Sequence, residues 1–403
     1  MISRRRFRRR RSLRGRGRRR SLLRDYSPIL KIGGLALLAA GVLAVLIIFV
    51  IVPLFVGNKP EPTPEVSLTP TPSPTPIISG SISDKAAQLQ ITPKSINDPF
   101  VYGTEVVFTT GNEAETAPEI NKLVIFDMTT GQLTEVPGIT KKNDSLFEPK
   151  MNDKYIVFLD CKMENGGTVC GYDRAAGTQF VIREYLFGKP KVTLSGNYAL
   201  WMQQTGSGTD KLYLYNLETK EVVTIEEFIN TPFSISAPYM SDEAIIYVQP
   251  EGESQILKGS SASLNAQLSI IPLVNNGDTQ RATFLPGMNV YNPMIDGDDI
   301  VFLNGAGDEN SSLIYMKRQG DSLSQPVEIA KDVLNYHIGD GFVVYTKDEV
   351  VHIYYFKDGS TGTLSSDTTK AVLIGANGKD VLWYDITDSA SDAGDVVWHI
   401  KVP

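Results

Sequence analysis

Histidine and cysteine are scarce in this 403-residue chain, which has three of the first and two of the second. A metal centre built on imidazole or thiolate therefore has few ligands to draw on. His337, His352 and His399 do not sit at metal-ligand spacing, and no His-Glu-x-x-His occurs. His352 and His399 fall in the third strand of a repeat described below and His337 in a first strand, so each is expected to be a packing or strand-face residue. A Gly-x-Ser-x-Gly elbow is missing, as is a Gly-x-x-x-x-Gly-Lys phosphate loop. The usual marks of a serine hydrolase and of a P-loop nucleotidase are thus absent, and no metal or organic cofactor is signalled.

Charge is missing from one place and one-sided in another. Residues 1–24 hold 13 Arg and no acid, so a chain of net charge −7 leaves −20 on residues 25–403. Ile32 to Val56 is 25 residues without a charge, about 37 Å as a helix and long enough to cross a hydrocarbon core of roughly 30 Å. With arginines on one flank and only Lys59 close by on the other, the positive-inside rule puts the tail in the cytoplasm and the body outside. Prolines at 60, 62, 64, 70, 72, 74 and 76, spaced mostly by Thr, Ser and Glu, then describe an extended stalk. The expected order is an Arg-rich cytoplasmic tail (1–28), an uncleaved single-pass anchor (29–57), a Pro/Thr/Ser-rich linker (58–80) and an extracytoplasmic domain (81–403). Anionic lipid headgroups are the expected partner of the tail. Nucleic acid is disfavoured, because only Phe7 interleaves with the charge.

The domain repeats one phrase, two aliphatic residues and then an aromatic one. It occurs at 106–108, 156–158, 199–201, 245–247, 300–302, 343–345 and 381–383, ending on Phe108, Phe158, Trp201, Tyr247, Phe302, Tyr345 and Trp383. Intervals of 50, 43, 46, 55, 43 and 38 residues between these aromatics match one four-stranded propeller blade. The phrase is strand B of each unit, preceded by strand A and a small or acidic turn. Strands C and D follow, with Asp-x-x-x-Gly turns such as Asp127 to Gly131 between them. An all-β, seven-bladed propeller is the reading, with six or eight blades or a stacked sandwich as alternatives. The fourth repeat is overlong, and an irregular insertion is expected between Gly259 and Pro272. The last repeat stops at its third strand, Val396 to Ile400, whereas an orphan segment, Gln88 to Thr92, precedes the first. That segment is expected to complete the final blade and close the ring.

The recurrent Pro-x-aliphatic-x-(Gly/Asp/Asn) phrase before strand B, at Pro149 to Phe158, Pro238 to Tyr247 and Pro293 to Phe302, resembles the repeats of TolB-like propellers of bacterial envelopes. The resemblance covers roughly residues 85–403. It implies the propeller fold and binding, whereas the Ser-Pro-Asp-Gly turn usual in that family is degraded here and the family's N-terminal domain is replaced by an anchor and stalk.

Three groups of residues carry the functional expectations. Cys161 and Cys170 flank Asn165-Gly166; a two-residue hairpin turn there would place them opposite one another, at a site suited to a cross-strand disulfide. Acids crowd the B–C loops, namely Glu113, Glu115, Glu119, Glu251, Glu253, Asp308, Glu309, Asp388, Asp392 and Asp395. A propeller gathers these loops on one face, giving a negative rim for a cationic partner or Ca²⁺, or simply a solvated acidic face. Asp296, Asp298 and Asp299 resemble half a calcium loop, but a strand turn explains them. Between strands D and A, Tyr185, Tyr291 and Tyr336 are expected on the same face, with blade packing accounting for most aromatics of this kind and exposed rings available to stack on a ligand. The function expected is a non-catalytic binding or scaffold module for a protein or cell-envelope partner. A carbohydrate-active enzyme of hydrolase or lyase type, using two carboxylates of that face, is the alternative.

Overall fold

Strand B must be buried on both of its faces, and the computed structural model of the chain shows what buries it. It describes residues 85–91, 96–111, 120–206, 209–229, 236–250, 266–273, 281–285, 288–305, 311–320, 322–333, 335–366, 370–386 and 396–403. Seven antiparallel sheets follow one another along the chain, spanning 97–135, 145–185, 192–229, 239–284, 290–330, 335–363 and 370–401, the last completed by 87–88. They are blades 1 to 7. No helix among the described residues is long and apolar enough to cross a membrane, and the expected tail, span and stalk lie outside the described residues.

The repeated phrase has a simple physical cause. In every blade its first and third residues pack toward the preceding blade and its second toward the next one. In blade 2, Ile156 and Phe158 join Val107 and Leu123 of blade 1, whereas Val157 joins Trp201 of blade 3. In blade 5, Ile300 and Phe302 face Ile246 of blade 4, and Val301 faces Val343 of blade 6. The described core consists of seven such clusters, one for each pair of neighbouring blades, including blades 7 and 1. Burial of each large side chain contributes roughly 1.5–3 kcal/mol, and all seven terminal aromatics are buried. The two-residue period of a strand turns a three-residue phrase into a connector of three sheets.

The ring closes as the ends of the sequence suggest. Ala87–Gln88 pairs with strand C of blade 7, Ala87 opposite His399 and Gln88 opposite Trp398, and Leu89 N–H donates to Val397 O at 2.9 Å. Leu89 then sits in the cluster that joins blades 7 and 1, beside Val101, Leu382 and Val397. Asn377 Nδ2 donates to Val101 O and Tyr384 Oη to Ile96 O, each at 3.0 Å across the same seam. In blade 4, Ala266–Pro272 is strand C, which corrects that part of the expected insertion; its remainder, 259–265, lies outside the described residues.

Leu89→Ala removes apolar surface from the one seam that holds two distant parts of the chain. Its expected cost is about 2–5 kcal/mol, read as a lower urea midpoint with an unchanged slope. An unshifted midpoint would contradict closure by this segment.

Candidate functional site

A cavity of about 820 Å³ runs along the propeller axis and is lined by strand A of all seven blades. The residue opposite the middle of each strand-B phrase lines it: Phe100, Lys150, Thr193, Tyr239, Met294, His337 and Gly375. No two of these seven are alike, although the strands that carry them are repeats. Phe100, Tyr239 and Met294 also pack against the clusters between blades, whereas Lys150, Thr193, His337 and Gly375 show that the position tolerates polar and small residues.

Strand A is irregular in four blades; in blade 7 the shift falls between Leu373 and Gly375, and in the other three it lies where strand A begins. Those three register shifts fall between Asn97 and Phe100, Phe147 and Lys150, and Tyr291 and Met294. Each shift contains a residue before proline at positive φ: Asp98 (48°), Glu148 (48°) and Asn292 (47°). A left-handed conformation is costly for a non-glycine residue and persists where surrounding structure enforces it. Here it is enforced by contacts between blades: Glu148 N–H donates to Asp98 Oδ2 at 3.1 Å, and Asn292 Oδ1 accepts from Ala237 N–H at 2.8 Å. The proline phrase is thus a bulge in blades 2 and 5, with a further one at Pro99 in blade 1, whereas blade 4 carries Pro238 without a register shift; residues beside all four prolines line the cavity.

Charge is arranged unevenly along the channel. Asp98, Glu148, Lys150 and Lys191 come from blades 1 to 3 on one side, with Asn292, Asn335 and His337 on the other. Burial pushes the Glu148 carboxyl up and the Lys150 ammonium down, the opposite charges of Glu148 and Asp98 offsetting part of the second effect. Lys150 Nζ lies 4.7 Å from the centre of the Phe100 ring. His337 is pushed down to about 3 by burial, then by the charges of Lys150 and Lys191, so it is a neutral imidazole at neutral pH. At the other mouth the A–B turns contribute Asp153, Asp242, Asp296 and Asp340. Burial first, then the negative charge of Asp340, raises Asp296 to about 6.

The structure places the sequence-derived candidates differently. All ten loop acids, Glu113, Glu115, Glu119, Glu251, Glu253, Asp308, Glu309, Asp388, Asp392 and Asp395, lie outside the described residues. Tyr185 is 1 % exposed and bonded to Cys161 Sγ at 2.9 Å, and Tyr336 is 3 % exposed with its hydroxyl donating to Asn292 O. Those two are packing residues between blades, whereas Tyr291 is half-buried against the seam of blades 5 and 6. Asp296 and Asp299 face each other across a strand turn, as expected. His352 stacks on Tyr345 and His399 bonds Asp380 Oδ1 at 2.9 Å, again as expected of strand-face residues. His337, by contrast, faces the channel. Lys150, Glu148 and Asp98 were not singled out by the sequence, although a lysine where sister repeats carry Tyr239 or Met294 was a visible signal.

The disulfide is corrected. Cys161 pairs with Gly167 and Cys170 with Phe158, a register three residues away from the one a turn at Asn165-Gly166 would give. An odd shift sends the two side chains to opposite faces: Cys161 into the seam with blade 3, Cys170 into the seam with blade 1. Both thiols are free and buried. The physical reason is at Gly167, with φ at 154°, where a Cβ would collide with Asp160 O and the Tyr185 hydroxyl. The glycine, not a second cysteine, fits opposite Cys161, and the loop 162–166 closes through Lys162 N–H to Gly166 O at 3.0 Å.

Fold and cavity define a closed seven-bladed β-propeller with an open, unevenly charged axis. No protein-family model matches the sequence, and no curated protein matches it. Among solved structures, it is similar to the β-propeller domain of the trilobed protease from Pyrococcus furiosus, with 15% identity over 73% of this chain and 92% of that one and a TM-score of 0.53. That domain is described as having an open velcro topology, whereas here the N-terminal segment pairs with the last blade. A prolyl endopeptidase matches with 13% identity over 76% of this chain and 49% of that one, at a TM-score of 0.53. TolB from Acinetobacter baumannii matches with 16% identity over 65% of this chain and 67% of that one, at a TM-score of 0.41. At such identities the likeness is one of fold alone.

Two measurements check this site. Alkylation of the denatured chain without reductant is expected to label two thiols, and native labelling to be slow, since burial pushes Cys170 up to about 12. A native chain that yields no label when denatured would restore the disulfide. For Asp296, between about pH 4 and 6 the folded chain keeps a proton that the unfolded chain has lost, so stability falls as pH rises through that window. Asp296→Asn is expected to stabilise by about 1 kcal/mol at pH 7, after allowance for solvent screening, and by nothing below pH 4. Equal urea midpoints at pH 7 would contradict it.

Proposed function

We propose that the chain is a membrane-anchored, extracytoplasmic propeller that acts as a non-catalytic binding module for a protein or cell-envelope partner. The observation that carries this reading is the axial cavity, whose lining departs from the repeat at every blade while the packing positions keep it. A cavity of this size falls within the range of small-molecule and peptide-end sites. The arginine tail and the uncharged span 32–56 support tethering on the outer side of a membrane, and the proline-rich stalk supports a separation of some 60 Å from it.

A second reading has one observation in its favour. Asp98 and Glu148 share the cavity on adjacent blades, and burial holds the Glu148 proton to higher pH, which is what a general acid beside a carboxylate requires. Capture by the fragment 81–403, which carries all seven blades and both closing segments, separates the two. The module is expected to retain a discrete partner from envelope extract, with and without calcium, and to leave envelope polysaccharide unchanged. Release of oligosaccharide that Glu148→Gln abolishes would replace the first reading with the second.

A further inference from the structure

Four charged side chains meet the cavity at one end without forming an ion pair among themselves. Asp98 and Glu148 offer carboxylates, Lys150 and Lys191 ammonium groups, yet among the described residues no carboxylate oxygen comes within 4.0 Å of either ammonium. The bulge backbone holds them apart. Asp98 Oδ2 is turned onto the Glu148 N–H, and the Lys150 ammonium lies over the Phe100 ring. Charges of both signs, Glu148 and Lys150 half-buried and Asp98 and Lys191 exposed, are kept separate in one concave site, which leaves them with interactions to gain from a ligand.

The sum of these charges selects the ligand. A net anion would be repelled by Asp98 and Glu148, and a metal cation by Lys150 and Lys191; neutral His337 across the channel supplies no net charge. A ligand with a carboxylate and an ammonium a few ångströms apart satisfies both pairs at once. Phe100, Met294 and Tyr239, the counterparts of Lys150 in blades 1, 5 and 4, add apolar and aromatic surface to the cavity lining.

We propose that the axial cavity binds the zwitterionic head of a free α-amino acid with an apolar side chain, the carboxylate at Lys150 and Lys191 and the ammonium at Asp98 and Glu148. This rests on the binding-module reading and narrows its ligand. The side chain points along the channel toward Phe100 and Met294, and the Asn335 amide, which donates to Leu373 O at 2.6 Å, lines the opposite side.

Isothermal titration of the full chain in detergent micelles with L-phenylalanine, its amide and its N-acetyl derivative tests the proposal. The zwitterion is expected to bind at least tenfold more tightly than either derivative. Lys150→Met is expected to weaken the zwitterion at least tenfold and to erase the preference over the amide. Glu148→Gln is expected to erase the preference over the N-acetyl form instead. Equal affinity for the three compounds, or no binding to the native chain at millimolar ligand, would overturn the proposal. Partner capture by the 81–403 fragment is scored separately: capture that persists while the native chain ignores L-phenylalanine rejects the amino-acid site and leaves the binding module standing.

Discussion

Burial of strand B on both faces is the constraint from which the rest follows. A sheet with one buried face needs one neighbour, but a sheet whose second strand is apolar on both sides needs two, and a finite chain satisfies that demand only by closing on itself. The seven blade-to-blade clusters are the outcome. The seam between blades 7 and 1 differs in origin, because Leu89 reaches it from the beginning of the chain and Val397 from the end. Local hairpins assemble six seams among sequence neighbours; the seventh must bridge nearly the whole domain, and it carries added side-chain hydrogen bonds from Asn377 and Tyr384.

Packing in the seams leaves the axis free to vary. Strand A is held by its ladder to strand B, so the side chain opposite the middle of each phrase is constrained in direction and not in kind. That is why Lys150, His337 and Gly375 occupy equivalent places. The bulges at Asp98, Glu148 and Asn292 add a second layer: positive φ before proline turns these residues while contacts from the neighbouring blade meet the cost. Charged groups of both signs are thereby held at one end of the channel and aspartates at the other.

The repeat, its period, the strand order within a blade and the need for a closing segment were legible because they follow from the alternation of buried and exposed positions along single strands. The Pro-x-aliphatic phrase was legible as punctuation but not as a lining, since Lys150, Tyr239 and Met294 at its x position meet only where the blades converge on the axis. The cysteines show the same limit. Asn165-Gly166 has the composition of a two-residue turn, yet the fit of Gly167 against Asp160 and Tyr185 moved the register by three. Tyr185 and Tyr336 pack in seams between blades, the outcome expected of most aromatics between strands D and A, and Tyr336 also lines the cavity.

By itself the sequence determined the repeating unit, a four-stranded sheet apolar on both faces of its second strand, and pointed to a final sheet completed from the start of the chain. The count of seven is read from the structure. Periodicity and burial are properties of neighbouring residues, and the hydrophobic effect acts on them without reference to distant parts of the molecule. Only the tertiary structure decided which side chains share the axis. Asp98, Lys150, Lys191 and His337 are up to 239 residues apart in sequence and meet through the radial placement of their blades. No local pattern encodes that meeting, because it is set by the closure of the ring.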